Sequence, residues 1–227
     1  MRCLYSRYGS FSSKEVKDFI HKNLPLDKEF WLQYNSPEEV LEVFNLIFKD
    51  INVSFTDKNE NQGFEFDIIN NGHYDNSENI IQIDVNSYTL WKTAIDDEEC
   101  YVDVPEEDRY LLSFPYWVEK RLIPTIVHEF VHVYQDSKYH LDLTTKESNK
   151  RGWEAWEDYF CDKIEIAARA VEVVEYFFDK DLNFILDNVK NYESTSFYFY
   201  NRENHPNEYK YLLKCISDVY YTLHEES

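Results

Sequence analysis

The chain predicts an α+β fold, with a small sheet of about three strands in its first half and a mainly helical second half. Two observations carry this. Short β-branched runs bounded by Asn, Gly and Asp occupy residues 51–55, 64–69 and 80–85, whereas from Pro124 onward apolar residues recur at helical spacing. No Gly-, Pro- or Ser-rich linker interrupts the 227 residues, so a single domain is expected over 1–227. It comprises an α/β part to about residue 115 and a helical part from about 116.

Each element has its own signal. Residues 14–24 carry a helical apolar stripe. Ser36-Pro37-Glu38-Glu39 ahead of VLEVFNLIF supplies a capping Ser, a Pro at the first helical position and acids in the first turn, which predicts a helix over 37–49. NNGHYDNSEN, between the second and third strands, is rich in turn formers. Residues 86–117 show no clear period and read as irregular with a short helix. Further helices are expected over about 124–138, 150–179, 181–192 and 207–223.

Charge excludes one class of partner. With 44 acids against 23 Lys plus Arg the net charge is −21, and the clusters DDEE at 96–99 and EED at 106–108 leave no basic footprint. Direct binding to a nucleic-acid backbone is not expected, because phosphate contacts need Lys and Arg. Cys3, Cys100, Cys161 and Cys215 form no C-x-x-C pair, which suggests reduced thiols and a cytoplasmic protein. The opening MRCLYSRYGSFSS lacks a signal peptide's apolar region, and no run of about 18 apolar residues occurs, so neither secretion nor a membrane span is expected.

The chemistry concentrates in HEFVHVYQ, residues 128–135. At 100° per residue His128 and His132 lie about 40° apart on one helix face, so both imidazoles can reach one ion. Gln135 shares the stripe, and Glu129 stands at its edge, where a carboxylate can take a proton from a water without being a ligand. The flanking Ile123, Ile126, Val127, Phe130, Val131 and Val133 make the helix apolar over most of its circumference. Buried, unpaired His and Glu carry a desolvation cost of several kcal/mol, which a divalent ion removes. A catalytic zinc takes a third protein ligand. Gln135 and Lys138 stand where the H-E-x-x-H-x-x-G-x-x-H pattern needs Gly and His, which leaves a carboxylate from the next helix. Glu154 and Glu165 are the candidates. They are nearly on one face but about 16 Å apart along a helix axis, so only one can be at the metal.

HEFVHVYQ followed by YFCDKIEIAARAVE resembles the pairing of H-E-x-x-H with E-x-x-A-x-A-[FV] found in zincin-like metallopeptidases of the gluzincin type, lethal-factor-type and phage or mobile-element enzymes among them. The resemblance covers about residues 72–172, and GHYDNSENIIQIDVN is similar to the strand that precedes the active-site helix in minimal zincins. It implies a zincin-like fold, the sheet packed against the active-site helix, with His128, His132 and Glu165 as zinc ligands and Glu129 as general base. The chain departs from the family at Ala167, where a second Glu often stands, and at Lys163, where Pro is common. Glu154 with Asp158 is instead similar to the E-x-x-x-D arrangement of thermolysin-like enzymes, and remains the alternative third ligand.

The function this implies is a zinc-dependent metallopeptidase acting on a peptide or protein substrate. Zn2+ activates a water, Glu129 takes its proton and returns it to the leaving amine, and Tyr159, or else His73 or His140, is a candidate donor to the oxyanion. The strand over 80–85 is expected to offer an edge to an extended substrate. The competing reading is a catalytically inactive zincin-like protein whose acidic surface mimics nucleic acid or binds a basic partner. A metal-dependent hydrolase of another substrate class would share the same site.

Overall fold

The computed structural model describes residues 13–58, 68–101, 104–139 and 159–225. The fold is α+β, largely helical with a three-stranded mixed sheet. It divides into two compact units, one of Lys14–Ile126 and one formed by Ser13 with the described residues from Val127 on.

In the first unit, helix α1 (Ser13–Asn23) buries Val16 and Ile20, one turn apart. The short α2 (Lys28–Trp31) and then α3 (Pro37–Phe48) follow. Ser36 caps α3 by accepting from the Glu39 amide at 3.3 Å, while the Glu39 carboxylate accepts from the Asn35 amide at 2.7 Å, so two amides at the helix entrance are satisfied reciprocally. Val40, Phe44 and Phe48 form the buried stripe of α3. With Trp31, Phe55, Phe114 and Trp117 they make an aromatic core of edge-to-face and stacked pairs.

The sheet has the order β1-β3-β2, with β1 (Val53–Asp57) parallel and β2 (Ile69–Asp75) antiparallel to β3 (Ile80–Val85). Ile81, Ile83 and Val85 alternate into the core, as period-two patterning requires. Most of the strand expected over 64–69 lies outside the described residues. One expectation is corrected here: NNGHYD is strand rather than turn. The turn is made instead where Asp75 accepts from the Ser77 amide at 2.8 Å and Asn79 adopts φ 55°. The strand over 80–85 is the central one. Both of its edges are occupied, so no peptide can add to it.

The outer edge of β1 is also covered. The Asn45 side chain accepts from the Phe55 amide at 2.7 Å and donates to the Phe55 carbonyl at 3.0 Å, acting as one residue of a missing strand and tying α3 to the sheet.

Residues 86–117 are more regular than their polarity suggests. Helix α4 (Ser87–Ala94), capped by Asn86 accepting from Thr89, leads through 3-10 turns at Glu98–Tyr101 and Glu106–Leu112 to α5 (Phe114–Trp117). The helical path from α5 continues through a π-helical turn, Val118–Leu122, into α6 (Ile123–Tyr139). Helix α6 matches the helix expected over about 124–138, and Pro124 stands in its first turn with a π turn rather than a loop ahead of it. A proline ring clashes with the carbonyl four residues back, and the wider π turn immediately before it relaxes that contact.

In the second unit the expected helix over 150–179 is described only from 159. It is broken by Asp162, whose side chain accepts from the Ile164 amide at 2.8 Å and so caps a separate helix, α7 (Lys163–Tyr176). The helix expected over 181–192 ends early: α8 (Leu182–Asn188) passes into a 3-10 turn, Val189–Asn191. A helix that was not expected, α9 (Glu193–Tyr200), follows. Its sequence, ESTSFYFY, has no apolar stripe for a periodicity to reveal. Finally α10 (Pro206–Glu225) packs along α7. Among the described residues no helix is long and apolar enough to cross a membrane.

Asn45→Ala is expected to lower stability by about 1–3 kcal/mol in chemical denaturation, because it strips partners from a part-buried amide and carbonyl at once. A loss below about 0.5 kcal/mol would show that solvent replaces both bonds.

Candidate metal centre

Helices α6 and α7 are both nearly apolar where they carry the charged residues. On α6, His128 and Glu129 are 6% and 5% exposed. On α7, Glu165 is 3% exposed and sits among Ile166, Ala167, Ala168, Ala170 and Val171, all buried. The small alanines leave room for a close approach of side chains, and three of the residues singled out in the sequence meet there. His128 Nε2 lies 3.2 Å from His132 Nε2 and 3.5 Å from Glu165 Oε1, while His132 Nε2 lies 3.4 Å from Glu165 Oε2.

The hydrogen bonds behind the imidazoles decide what these nitrogens are. His128 Nδ1 is 3.2 Å from Glu172 Oε2, and an ionised carboxylate can only accept, so Nδ1 carries the proton. His132 Nδ1 is 3.0 Å from Gln135 Oε1. That amide is oriented by donating its nitrogen to the Ile164 carbonyl at 3.3 Å, so His132 Nδ1 carries its proton too. In the neutral rings both Nε2 atoms are then bare lone pairs, pointing at each other and at a carboxylate. Acceptors so close are reconciled only by a cation, a proton or a metal ion.

The spacing suits a metal. Donors about 2.0–2.2 Å from a tetrahedral zinc stand about 3.3–3.5 Å from one another; here the two Nε2 atoms are 3.2 Å apart, Glu165 brings a different oxygen near each, Oε1 at 3.5 Å from His128 and Oε2 at 3.4 Å from His132, and one ligand atom from each residue lies within 4.8 Å of the others. The donor set, two imidazoles and a carboxylate, is that of a catalytic rather than a closed structural site. The residues fit the ion.

Around this triad the charges are arranged with care. Arg169, one turn beyond Glu165 on α7, places Nη2 2.7 Å from Glu165 Oε1. Glu172 is held on its other oxygen by the Tyr192 hydroxyl, which donates at 2.8 Å. Glu129 is not among the converging acceptors: its Oε1 is 4.0 Å from His128 Nε2.

Burial disfavours the charged form of His128, but Glu165, then Glu172 and Glu129, outweigh it and raise its pKa to about 9. Burial raises Glu129 above the usual carboxylate range, with the two histidines opposing. It acts in the same sense on Glu165 and Glu172. There Arg169 and both histidines overcome it for Glu165, and the His128 hydrogen bond and charge, Arg169 and Tyr192 overcome it for Glu172, so both carboxyls are lowered.

Tyr159 lies in the helical residues just ahead of the break at Asp162, 42% exposed and near enough to the Glu165 carboxylate to feel its charge. Burial and that carboxylate push the phenol far above its ordinary value, so it remains a donor. Glu154, Asp158 and His140 lie outside the described residues, and His73 is exposed on β2 in the first unit. Sequence reasoning passed over Glu172, Arg169 and Tyr192. The first two had a signal: with Glu165 they stand at i, i+4 and i+7, a charged row on a helix otherwise buried. Tyr192 had none. No family model, curated protein or solved structure matches the chain.

One zinc per chain is expected by metal analysis after dialysis, and Glu165→Ala should weaken zinc binding at least about tenfold in a chelator competition. Undiminished affinity in that variant would remove Glu165 from the ligand set.

The metal-stripped protein should also show a pH signature. His128, raised to about 9, contributes stability that is complete below its unfolded value of about 6.5 and is lost as pH rises through 9. Glu129, also raised, acts in the same sense. Glu165 and Glu172, lowered, contribute stability that is present above about 4.5 and lost as pH falls. Thermal melts should therefore peak in weakly acidic buffer, between about pH 4.5 and 6.5, and decline towards pH 9. His128→Gln should flatten the alkaline decline, and a decline of unchanged slope in that variant would assign it to other groups.

Proposed function

We propose that the chain is a zinc-dependent metallopeptidase of the gluzincin type, with His128, His132 and Glu165 as metal ligands and Glu129 as general base. The observation that carries the reading is the convergence of two bare imidazole nitrogens and a carboxylate, one ligand atom from each within 4.8 Å of the others, beside a buried carboxylate outside that set. Zinc bound there supplies Lewis acidity for a carbonyl and lowers the pKa of a water towards 7.

The chain's own residues do the rest. Glu129, lifted above the ordinary carboxylate range by burial, holds a proton more readily than a solvated carboxylate, in the direction a general base needs. It takes the proton of the attacking water and delivers it to the amine as the C–N bond breaks. Glu172 holds the Nδ1 proton of His128, and Tyr192 holds Glu172, which fixes the ring's tautomer and direction. Gln135 does the same for His132. Tyr159, a phenol kept protonated next to Glu165, is the donor assigned to the developing oxyanion. The substrate is a peptide or protein, and since β3 is paired on both sides it is not held by addition to that strand. A cytoplasmic setting belongs to this reading, supported by Cys100, Cys161 and Cys215 standing in no disulfide.

The test is hydrolysis of a mixed peptide library followed by mass spectrometry. Cleavage should disappear with chelator and return with zinc. Glu129→Gln should keep its zinc while kcat falls at least about 100-fold. A folded, zinc-loaded protein that cleaves no peptide would exclude the peptidase. A folded protein that takes up no zinc would return the choice to a non-catalytic acidic binding protein.

A further inference from the structure

Glu165 offers two oxygens to the centre, and both face it: Oε1 is 3.5 Å from His128 Nε2 and Oε2 is 3.4 Å from His132 Nε2. On those distances alone the carboxylate could bind an ion through both. Two-oxygen binding would take the position that a catalytic zinc leaves open for water. Something must therefore choose between the oxygens.

Arg169 stands on one of them. Its Nη2 is 2.7 Å from Oε1, a close ion pair that is not aligned as a hydrogen bond, and its side chain is 13% exposed. The guanidinium is walled by aromatic rings, with its carbon 4.9 Å from the centre of Phe160 and 5.8 Å from that of Tyr159. Its low exposure and the neighbouring rings keep the guanidinium beside Oε1. An oxygen already neutralised by one cation at 2.7 Å is a poor donor to a second, and two cations on one atom repel.

We propose that Arg169 is a positioning residue that reserves Oε1 of Glu165, so that the metal is bound through Oε2 alone and one coordination position stays open for water. This rests on the metal centre proposed above. It makes the i, i+4 pair on α7 a coordination-number device rather than a packing contact.

The test uses the full chain loaded with cobalt(II), whose visible absorption weakens when coordination rises above four, together with zinc affinity by chelator competition. Wild type should show the intense bands of a four-coordinate ion. Folded R169Q should bind zinc about 10–100-fold more weakly and show weakened bands, as Glu165 turns both oxygens to the ion. R169K, which keeps a cation on Oε1, should recover both properties. Native bands and affinity in folded R169Q, or an R169K as altered as R169Q, overturn the assignment. If R169Q does not fold, the wild-type infrared difference spectrum, zinc-loaded minus metal-free, decides. A widely separated pair of carboxylate stretches marks one-oxygen binding, and a narrow pair marks two-oxygen binding and overturns the role. Wild-type protein that takes up neither metal overturns the centre itself, and this role with it.

Discussion

Two imidazole nitrogens, each left bare by the acceptor that holds the opposite side of its ring, face one another at 3.2 Å with a carboxylate closing the triangle. In water such groups would be hydrated apart. Here α6 and α7 carry them where solvent does not reach, and the only inexpensive resolution is a positive charge at the centre. The organisation of the second unit follows from that constraint. Glu172 and Gln135 are placed to hold Nδ1 protons, and Tyr192 and the Ile164 carbonyl hold those two in turn.

Helix α7 serves as a ruler for charge. Glu165, Arg169 and Glu172 occupy successive turns of one face, so the ligand, its counter-cation and the support of His128 come from a single rigid element. With Glu129 from α6 there are three carboxylates against one guanidinium, which leaves two negative charges uncompensated, the amount a divalent ion cancels. Without an ion a proton on His128 meets part of that demand, which is why its pKa moves upward although burial alone would move it down.

Much of this was legible because it is local. The capped start of α3 and the strands over 51–55 and 80–85 follow from patterns a few residues long, and the structure has α3 at Pro37–Phe48, β1 at Val53–Asp57 and β3 at Ile80–Val85. What failed was equally physical. The Asx-type turn at Asp75 to Asn79 drew NNGHYD into β2, because strand pairing with β3 supplies partners that turn propensity does not weigh. Helix α9 has aromatic residues around its whole circumference and so no period to detect. The helix expected over about 124–138 is α6 at Ile123–Tyr139, and what local pattern did not show is that α5 and a π turn lead into it without a loop.

By itself the sequence determined the angular relation of His128, Glu129 and His132, since 100° per residue fixes which side chains share a face whatever surrounds the helix. It also reduced the third ligand to two glutamates spaced by whole turns. Only the tertiary structure brings Glu165 to the histidines, sets Arg169 on one of its oxygens and makes β3 the central strand, because these depend on where separate elements meet. Helical periodicity repeats along an axis and cannot say at what height a neighbour crosses it. That height is set by side-chain volumes far apart in the chain.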